Sequence, residues 1–551
     1  MKISKKDFPE RRGRLAMIEI VSVQNMRTSD AATIESGITG RELMLRAGEA
    51  IFRAVDWKSP VAIVCGTGNN AGDGYVLAGL LREAGMECTL ILLEDRFSQD
   101  GRYYFEECIR TDTKSNLDKV ETEESQNWQI KVKYLEDCKS LSGFGTVVDC
   151  IFGTGFHGEV KGKAKEAVEK INSSDAYVVA VDINSGLNGD SGMCGKSELE
   201  CSCVRSDITV SIGNFKPGHF LNMAKDVMRH KVNCDIGIRP VQKPYYLIEE
   251  KDIKAYFSER PNFSNKGTYG YTAIIGGSKK YSGALRLAAM ANAAMRSGAG
   301  VVKVGMPNSL YHDLIPLILE STLFPLTDND GELLFRECEL KELVSNVRTV
   351  AFGMGIGQSV ETGRCLEYLL KEYSGNMIVD ADGLNLLAKM DRELIRRARG
   401  KLVLTPHIKE FERLTGLPKD EILNAPIKNA ETYAMDTGAI VLLKGPSTIV
   451  TDGVRTYLVD SGCSGMATAG SGDVLSGILS AVCSYLPSTN INHMDGSAID
   501  LTLAVAAGAY INGKAGELAQ EKYGSISMIA SDTVASIPGI IRNLSSGTKQ
   551  V

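Results

Sequence analysis

The chain gathers glycine, small and acidic residues at points where strands give way to helices, and each such point could hold an anion beside a carboxylate. The sharpest is GMATAGSGDVLSGILSA (465–481). A glycine-rich turn, AGSGD, opens a helix whose apolar residues then recur at helical spacing. The N–H groups of Ala469 to Gly472 would face an anion, with the helix dipole adding to their pull. Asp473 stands at the helix start. There it is either a partner of the helix dipole or a base held against a substrate hydroxyl, with phosphate charge cradled beside it.

In the first half, VAIVCG (61–66) runs into TGNNAGDG, after which a helix begins at GYVLAGLLREAG (74–85). Gly66, Gly68 and Gly72 follow G-x-G-x-x-x-G, not the dinucleotide fingerprint, so an ordinary hydride-transfer site is disfavoured. FGTGFHG (152–158) carries G-x-G-x-x-G at Gly153, Gly155 and Gly158, after a strand bearing Asp149. A third strand ends in Asp182, followed by Asn184, Ser185 and Gly186. These strand ends would converge at the carboxyl rim of a parallel sheet, where open α/β sheets bind ligands. Oxygen atoms of Asn70, Asp149 and Ser185 could hold a hard cation, and a carboxylate there could move a proton. A glycine-rich connector without chemistry is the plainer alternative.

The elements that must position these residues follow from β-rich runs alternating with helical stretches, the pattern of parallel sheets covered by helices. CTLILL (88–93), TVVDCIFG (146–153), YVVAVDINSG (177–186) and DITVSIG (207–213) continue the first sheet. The charged stretch 111–140 reads as an exposed excursion. Three prolines and a charge run in 239–261 break the rhythm, and the boundary is expected near residue 245, giving domains 1–245 and 246–551. The second half restarts at YTAIIGG (271–277) and a small-residue helix, 282–300. It continues through RTVAFGMG (348–355), NMIVDADG (376–383), KLVLTPH (401–407) and GAIVLLKG (438–445), then a hairpin turning on Asp452 and Gly453.

Bulk properties narrow the function. The chain of 551 residues, 43% hydrophobic and 24% charged, exceeds one ordinary core. A net charge of −6 without basic clusters argues against nucleic acid. There is no apolar run long enough for a bilayer and no secretory h-region in MKISKKDFPERRGRLAM, so no membrane partner is expected. Thirteen cysteines read as thiols of a cytoplasmic protein. The spacing of Cys194, Cys201 and Cys203 matches no common zinc pattern.

GTGNNAGDG, VVDCIFGTGF and VVAVDINSG, with RTSDAATIESGITGRELMLRAGEA (27–50) upstream, resemble the NAD(P)H-hydrate epimerase (YjeF N-terminal) family over roughly 18–240. The resemblance implies a Rossmann-like α/β domain with substrate contacts at Asn69, Asn70, Ala71, Gly72, Asp73, Gly153, Thr154, Gly155, Phe156, His157, Gly158, Glu159 and Asp182. It also implies K+ near Asn70, Asp149 and Ser185, and the proton-moving carboxylate read from the residues at that rim is Asp149, the expected catalytic residue. Ala71 replaces a frequent Gly, and Asn184 a usual Pro, which should loosen the loop beside Ser185.

KGTYGYTAIIGGSKKYSGA, AFGMGIG, IVDADGLN, LTPHIKEFERL, LLKGPSTIV and the 465–481 motif resemble, in order, the ADP- or ATP-dependent NAD(P)H-hydrate dehydratase (YjeF C-terminal) family over about 250–545. That implies a C-terminal ribokinase-like α/β domain. Ala284, Gly355, His407 and Asp473 would contact the hydrated cofactor. Lys444, Gly445, Pro446, Ser447, Thr448 and Gly472 would contact the adenine nucleotide, with Mg2+ bridging its oxygens. Cys463-Ser464 replaces a usual Asn-Pro, and Ser471 a usual Thr. His407 could instead bond only backbone, and Lys444 could be a solvated strand-end charge.

The joint expectation is repair of hydrated nicotinamide cofactors. One half would interconvert R and S forms of the NADH or NADPH hydrate, and the other would dehydrate the S form at the expense of ADP or ATP. The fused arrangement favours ADP by analogy, and a homo-oligomer is expected. Two rivals stay open: a small-molecule kinase acting through Asp473, and a first domain that only binds a nucleotide-like ligand.

Overall fold

The computed structural model describes residues 17–110, 129–195, 202–289, 293–485 and 500–546. They form two compact units: Glu19–Tyr245 with Asp420–Pro426, and the remainder, which joins Met17 and Ile18 to the chain from Tyr246 onward. Cys201 and most of the charged excursion (111–128) lie outside the described residues, as do 290–292 of the 282–300 helix.

In the first unit, strands β1 (Val61–Cys65), β2 (Cys88–Leu92), β3 (Lys131–Tyr134), β4 (Thr146–Cys150), β5 (Tyr177–Val181), β6 (Ser206–Ile212) and β7 (Met228–Cys234) form one sheet in the order β3-β2-β1-β4-β5-β6-β7. Every pairing is parallel. All five residues of β1, β2 and β4 are buried, because helices must cover both faces of a parallel sheet and its inner strands are therefore near-continuously apolar. The exposed KVKY of β3 is an edge strand at the end of the expected excursion. The covering helices include α1 (Val23–Glu35), α2 (Gly40–Ala54), α3 (Asn69–Glu83) and α4 (Gln99–Ile109). Helices α2 and α3 pack closely enough that a Cβ on Gly48 would lie 2.3 Å from Val76 Cγ1. The chain order reverses between β1 and β4, and loops leaving there in opposite directions open a crevice at their carboxyl ends.

The second unit contains β8 (Tyr271–Ile275), β9 (Val301–Pro307), β10 (Thr322–Leu326), β11 (Thr349–Phe352), β12 (Asn376–Val379), β13 (Lys401–Leu404), β14 (Ile440–Leu443), β15 (Thr448–Thr451) and β16 (Thr456–Val459). Their order is β16-β15-β14-β13-β12-β11-β8-β9-β10. From β14 to β10 the pairings are parallel. The β14-β15-β16 meander is antiparallel, and its expected turn holds: Asp452 Oδ1 accepts from Val454 N, and Gly453 has φ +84°. Three further helices matter to the site: α5 (Ile408–Thr415), α6 (Ser471–Tyr485) and α7 (Leu501–Tyr523). Helix α6 is buried from Val474 to Ser484. With small and apolar residues on every side, it sits inside the unit and holds its first turn at the sheet rim.

The expectation of thiols throughout is corrected at one position: Cys194 is disulfide-bonded. Cys65, Cys88, Cys108, Cys138 and Cys150 are buried free thiols. Among the described residues, no helix is long and apolar enough to cross a membrane.

Candidate active sites

In the first unit, the crevice is a cavity of about 700 Å³ lined from four strand ends. The loop after β1 supplies Thr67, Gly68, Asn69, Asn70 and Asp73, and that after β4 supplies residues from Ile151 to His157. Asp182 follows β5, and Lys216 follows β6. Helix α1 adds Arg27 and Asp30. A Cβ on Gly66 would lie 2.1 Å from the Ile151 carbonyl oxygen, so only glycine lets these two loops meet. Phe152 and Phe156 stack at 4.5 Å between ring centroids on the wall.

Helix α3 starts at Asn69 rather than at residue 74, which decides which motif residues face the ligand. Asn69, Asn70 and Asp73 line the cavity, whereas Ala71 joins the hydrophobic core and a Cβ on Gly72 would strike Met44. Ala71 and Gly72 do not line the cavity, since in a helix these two positions turn inward. Gly153, Thr154, Gly155, Phe156, His157 and Asp182 line the cavity; Gly158 and Glu159 are exposed and do not.

Asp149 and Ser185 lie beneath the wall, fully buried. Asp149 Oδ1 accepts from Ser185 Oγ at 2.6 Å and Ile151 N at 3.1 Å, and Oδ2 accepts from Ser185 N at 2.8 Å. Burial pushes Asp149 up to about 6 against the pull of these hydrogen bonds. The arrangement ties the β4 and β5 loops together. The expected loosening at Asn184 is not observed. Its buried side chain donates to Val204 O, Ser206 Oγ and Val227 O, and accepts from Thr209 Oγ1 at 2.6 Å. Hydrogen bonds there replace the rigidity of the proline.

Sequence reasoning missed Lys216 and His219, which follow β6 in NFKPGH at the same rim. Lys216 is 1% exposed, and its Nζ donates to Asp182 Oδ1 at 2.6 Å and Ile212 O at 2.8 Å. Asp182 Oδ2 accepts from Thr154 N at 2.9 Å and Thr154 Oγ1 at 3.0 Å. Burial would raise Asp182, but Lys216 and these donors hold it below the usual carboxylate range. His219 Nε2 lies 2.7 Å from the Asp182 carbonyl oxygen, and burial followed by Lys216 pushes its ring down to about 4. Burial and the Asp182 charge push Asp73 well up. One cavity therefore holds one carboxyl group pushed down and another pushed up.

In the second unit, Asp473 occupies the first turn of α6, and among the described residues no helix N–H donates to its carboxylate. Burial, then the Asp380 charge, pushes it up to about 7, with Lys444 opposing. Asp380 follows β12 and is 2% exposed. Its Oδ1 accepts from Lys444 Nζ at 2.9 Å and its Oδ2 from Ser476 Oγ at 2.7 Å. Burial would raise Asp380, but Lys444 holds it down. Gly472 lies against both, its Cβ position 3.6 Å from Asp380 Oδ2 and from Lys444 Nζ. Lys444 is thus no solvated charge. Asp380 was legible as IVDADGLN, but no role was assigned to it.

The His407 side chain bonds to backbone. It caps α5, its Nδ1 accepting from Glu410 N at 3.2 Å, while His407 N donates to Glu410 Oε2 at 2.9 Å. Burial, then Lys444, pushes its ring down. Glu410, also missed, is 6% exposed, pushed up by burial, and 3.8 Å from Lys444 Nζ. Ala284 and Gly355 come together: Gly355 has φ +64°, and a Cβ there would lie 3.0 Å from Ala284 Cβ. Gly445 to Thr448 form the turn from β14 into β15, with Ser447 Oγ donating to Asp460 at 2.6 Å.

Residues 272–538 match the family model of NAD(P)H-hydrate dehydratase, and residues 40–218 that of the YjeF-related protein N-terminus. The bifunctional NAD(P)H-hydrate repair enzyme Nnr of Moorella thermoacetica is 31% identical over 93% of this chain and 94% of its own length. Its counterpart in Methanothermobacter thermautotrophicus is 32% identical over 95% of each chain. A crystal structure of the ADP/ATP-dependent NAD(P)H-hydrate dehydratase from Bacillus subtilis, co-crystallised with ATP and Mg2+, is 25% identical with a TM-score of 0.46. It covers 54% of this chain and 98% of that one. Two family models in tandem and relatives matching end to end lead to one assignment: the chain belongs to the family of bifunctional NAD(P)H-hydrate repair enzymes.

Proposed function

We propose that the first unit interconverts the R and S hydrates of NADH and NADPH, and that the second dehydrates the S form using ADP or ATP. The observation that carries the reading is Asp473: a half-buried carboxylate pushed up to about 7, in the first turn of a helix whose start can receive an anion. Hydroxide leaves poorly at neutral pH, whereas a phosphate ester leaves readily. Asp473 accepts the proton of the ring hydroxyl as the terminal phosphoryl group of the nucleotide passes to its oxygen. The C–O bond of the ester then breaks with its electron pair leaving on inorganic phosphate, the neighbouring ring carbon gives up a proton to solvent, and the C–H electron pair restores the ring double bond. The first turn of α6 receives the phosphoryl charge. Ala284, Gly355 and His407 surround the hydrate, and Gly445 to Thr448 with Gly472 follow the nucleotide. Lys444 keeps Asp380 ionised and so sets the field at Asp473.

Two cations fit the residues present. Asn70 is 8% exposed and its Oδ1 and Nδ2 have no partner among the described residues, which suits a K+ held by Asn70, Asp149 and Ser185 as a fixed charge between the loops. The Glu410 carboxylate suits Mg2+ shared with nucleotide phosphates, which would neutralise charge on the transferred group.

The test is to give the full chain a mixture of hydrate epimers with ADP or ATP and follow the near-ultraviolet absorbance of reduced nicotinamide. Full recovery supports both activities. Recovery stopping at the S fraction removes the epimerase, and a stable phosphorylated product would favour a small-molecule kinase.

A further inference from the structure

Of the carboxyl groups lining the first unit's cavity, Asp182 and Asp73 stand on opposite terms, whereas Asp100 is paired with Arg41 and Asp30 stands on helix α1. Asp182 has both oxygens engaged, Oδ1 by Lys216 at 2.6 Å and Oδ2 by Thr154 N and Oγ1 at 2.9 and 3.0 Å. It is also held in a left-handed backbone conformation, φ +64°, which costs a non-glycine residue energy and persists only where its surroundings enforce it. His219 Nε2 on its carbonyl and Lys216 on its carboxylate supply that enforcement. Such a group is fixed and charged, and is poorly placed to give or take a proton.

Asp73 is the converse. It stands in the first turn of α3, lines the same cavity, and among the described residues receives no hydrogen-bond donor. The charged groups acting on it are Asp182, Lys216 and Asp30. Asp149, the other carboxylate of the motifs, is no competitor. It is fully buried, does not line the cavity, and is bound by Ser185 and Ile151.

Resting on the epimerase reading, we infer that Asp73 is the catalytic residue that moves the proton at the hydroxyl-bearing carbon, while Asp182, clamped by Lys216, is the fixed counter-charge. In the hydrate that carbon is bonded to both the hydroxyl and the ring nitrogen. The Asp73 carboxyl proton passes to the hydroxyl oxygen, and the C–O bond breaks with its electron pair going to that oxygen, which leaves as water. The nitrogen lone pair forms a C=N bond, so the ring becomes planar and positive, and the Asp182 carboxylate offsets that charge. Water then adds to the opposite face of the carbon, and the proton it sheds returns to the Asp73 carboxylate. Atoms and charge balance, and only the configuration has changed. Lys216 is a positioning residue: it holds Asp182 charged and aimed without touching the substrate.

The experiment compares the full chain with Asp73→Asn, Asp73→Glu and Lys216→Met, starting from pure R hydrate without nucleotide and measuring the S hydrate formed chromatographically. Asp73→Asn is expected to lower epimerisation kcat by on the order of 10²-fold with KM little changed, since the amide keeps its size and polarity but carries no transferable proton. Asp73→Glu should restore part of the rate. Lys216→Met should lower kcat as well, with the remaining activity shifted along the pH axis. Nucleotide-dependent dehydration of S hydrate on the same preparations shows that the chain is intact. Turnover of Asp73→Asn equal to that of the native chain overturns the inference. A native chain that dehydrates S hydrate yet never converts R to S overturns the epimerase reading itself, an outcome distinct from failure of the variant.

Discussion

Lys444 Nζ lies 2.9 Å from Asp380 Oδ1, so a lysine whose sequence context suggests nucleotide phosphate is held by a carboxylate of its own chain. The Asp380 side chain is 2% exposed and that of Lys444 22%. Burial alone would push Lys444 down, but Asp380 and then Glu410 hold it up, so it stays charged.

From that pair the first prediction follows. Lys444→Met removes one charge and leaves Asp380 buried without its partner, which should cost roughly 3–5 kcal/mol of stability. Adding Asp380→Asn should restore much of it, because an amide tolerates the site uncharged. Lys444 also lowers Asp473, so its removal should move the rising limb of the dehydration pH profile upward. Denaturant melts of the single and double variants, with pH–rate profiles, check both parts.

The second prediction concerns Asp473. As a base it must be ionised, so dehydration should rise with pH through about 7 and fade below. Asp473→Asn should lower turnover by on the order of 10²-fold, because an amide cannot take the hydroxyl proton. Stability moves the other way. A carboxyl raised from its unfolded value favours the folded state below that value, and the advantage is lost as pH rises through 7. Above neutrality the native chain bears the cost of a partly desolvated charge that the asparagine variant lacks. The variant should therefore melt no lower than the native chain at pH 8, whereas a capping role would make it melt lower. Melting curves at both ends of that range decide it.

The two sites were unevenly legible. Glycine turns at strand ends announce themselves locally, so Asp473, Asn70, Asp73 and Asp182 could be found by reading along the chain. Lys216 and Glu410 are single residues whose importance comes from what lies opposite, and Asp182 is 34 positions from Lys216. The inward turn of Ala71 and Gly72 was hidden because the helix starts five residues earlier than its apolar repeat suggests. At Asn184 the substitution could be read but not its compensation, since Ser206, Thr209 and Val227 meet it only through the fold.

That compensation gives the third prediction. Asn184→Pro, which restores the residue usual in the family, should destabilise this chain. It strips donors from the Val204 and Val227 carbonyls and the acceptor from Thr209 Oγ1, all in a buried site. Losing these partners should cost about 2–4 kcal/mol, more than the stiffer loop returns. A variant as stable as the native chain would show that the network is incidental. Calorimetric unfolding of the two chains is the measurement.

The last prediction fixes which way the hydrate lies in the first unit's cavity. Two cationic side chains are on its wall, and they are not equivalent. Lys216 is bound to Asp182, whereas Arg27 meets no carboxylate among the described residues and has Nη2 3.4 Å from the Cβ position of Gly155. The substrate is a dinucleotide, whose diphosphate needs a cation and a loop without side-chain bulk, and the Arg27–Gly155 corner offers both. The reacting ring then falls toward Asp73 and Asp182. In that orientation Arg27 would touch only the part of the substrate that does not react, so its contribution would be the same in ground and transition states. Arg27→Ala should raise the KM of epimerisation by roughly tenfold or more while kcat changes little. Added salt should weaken the native chain more than the variant, because the lost contact is the charged one. A variant that keeps its KM but loses kcat would place Arg27 at the chemistry instead, and the orientation of the substrate would have to be reversed.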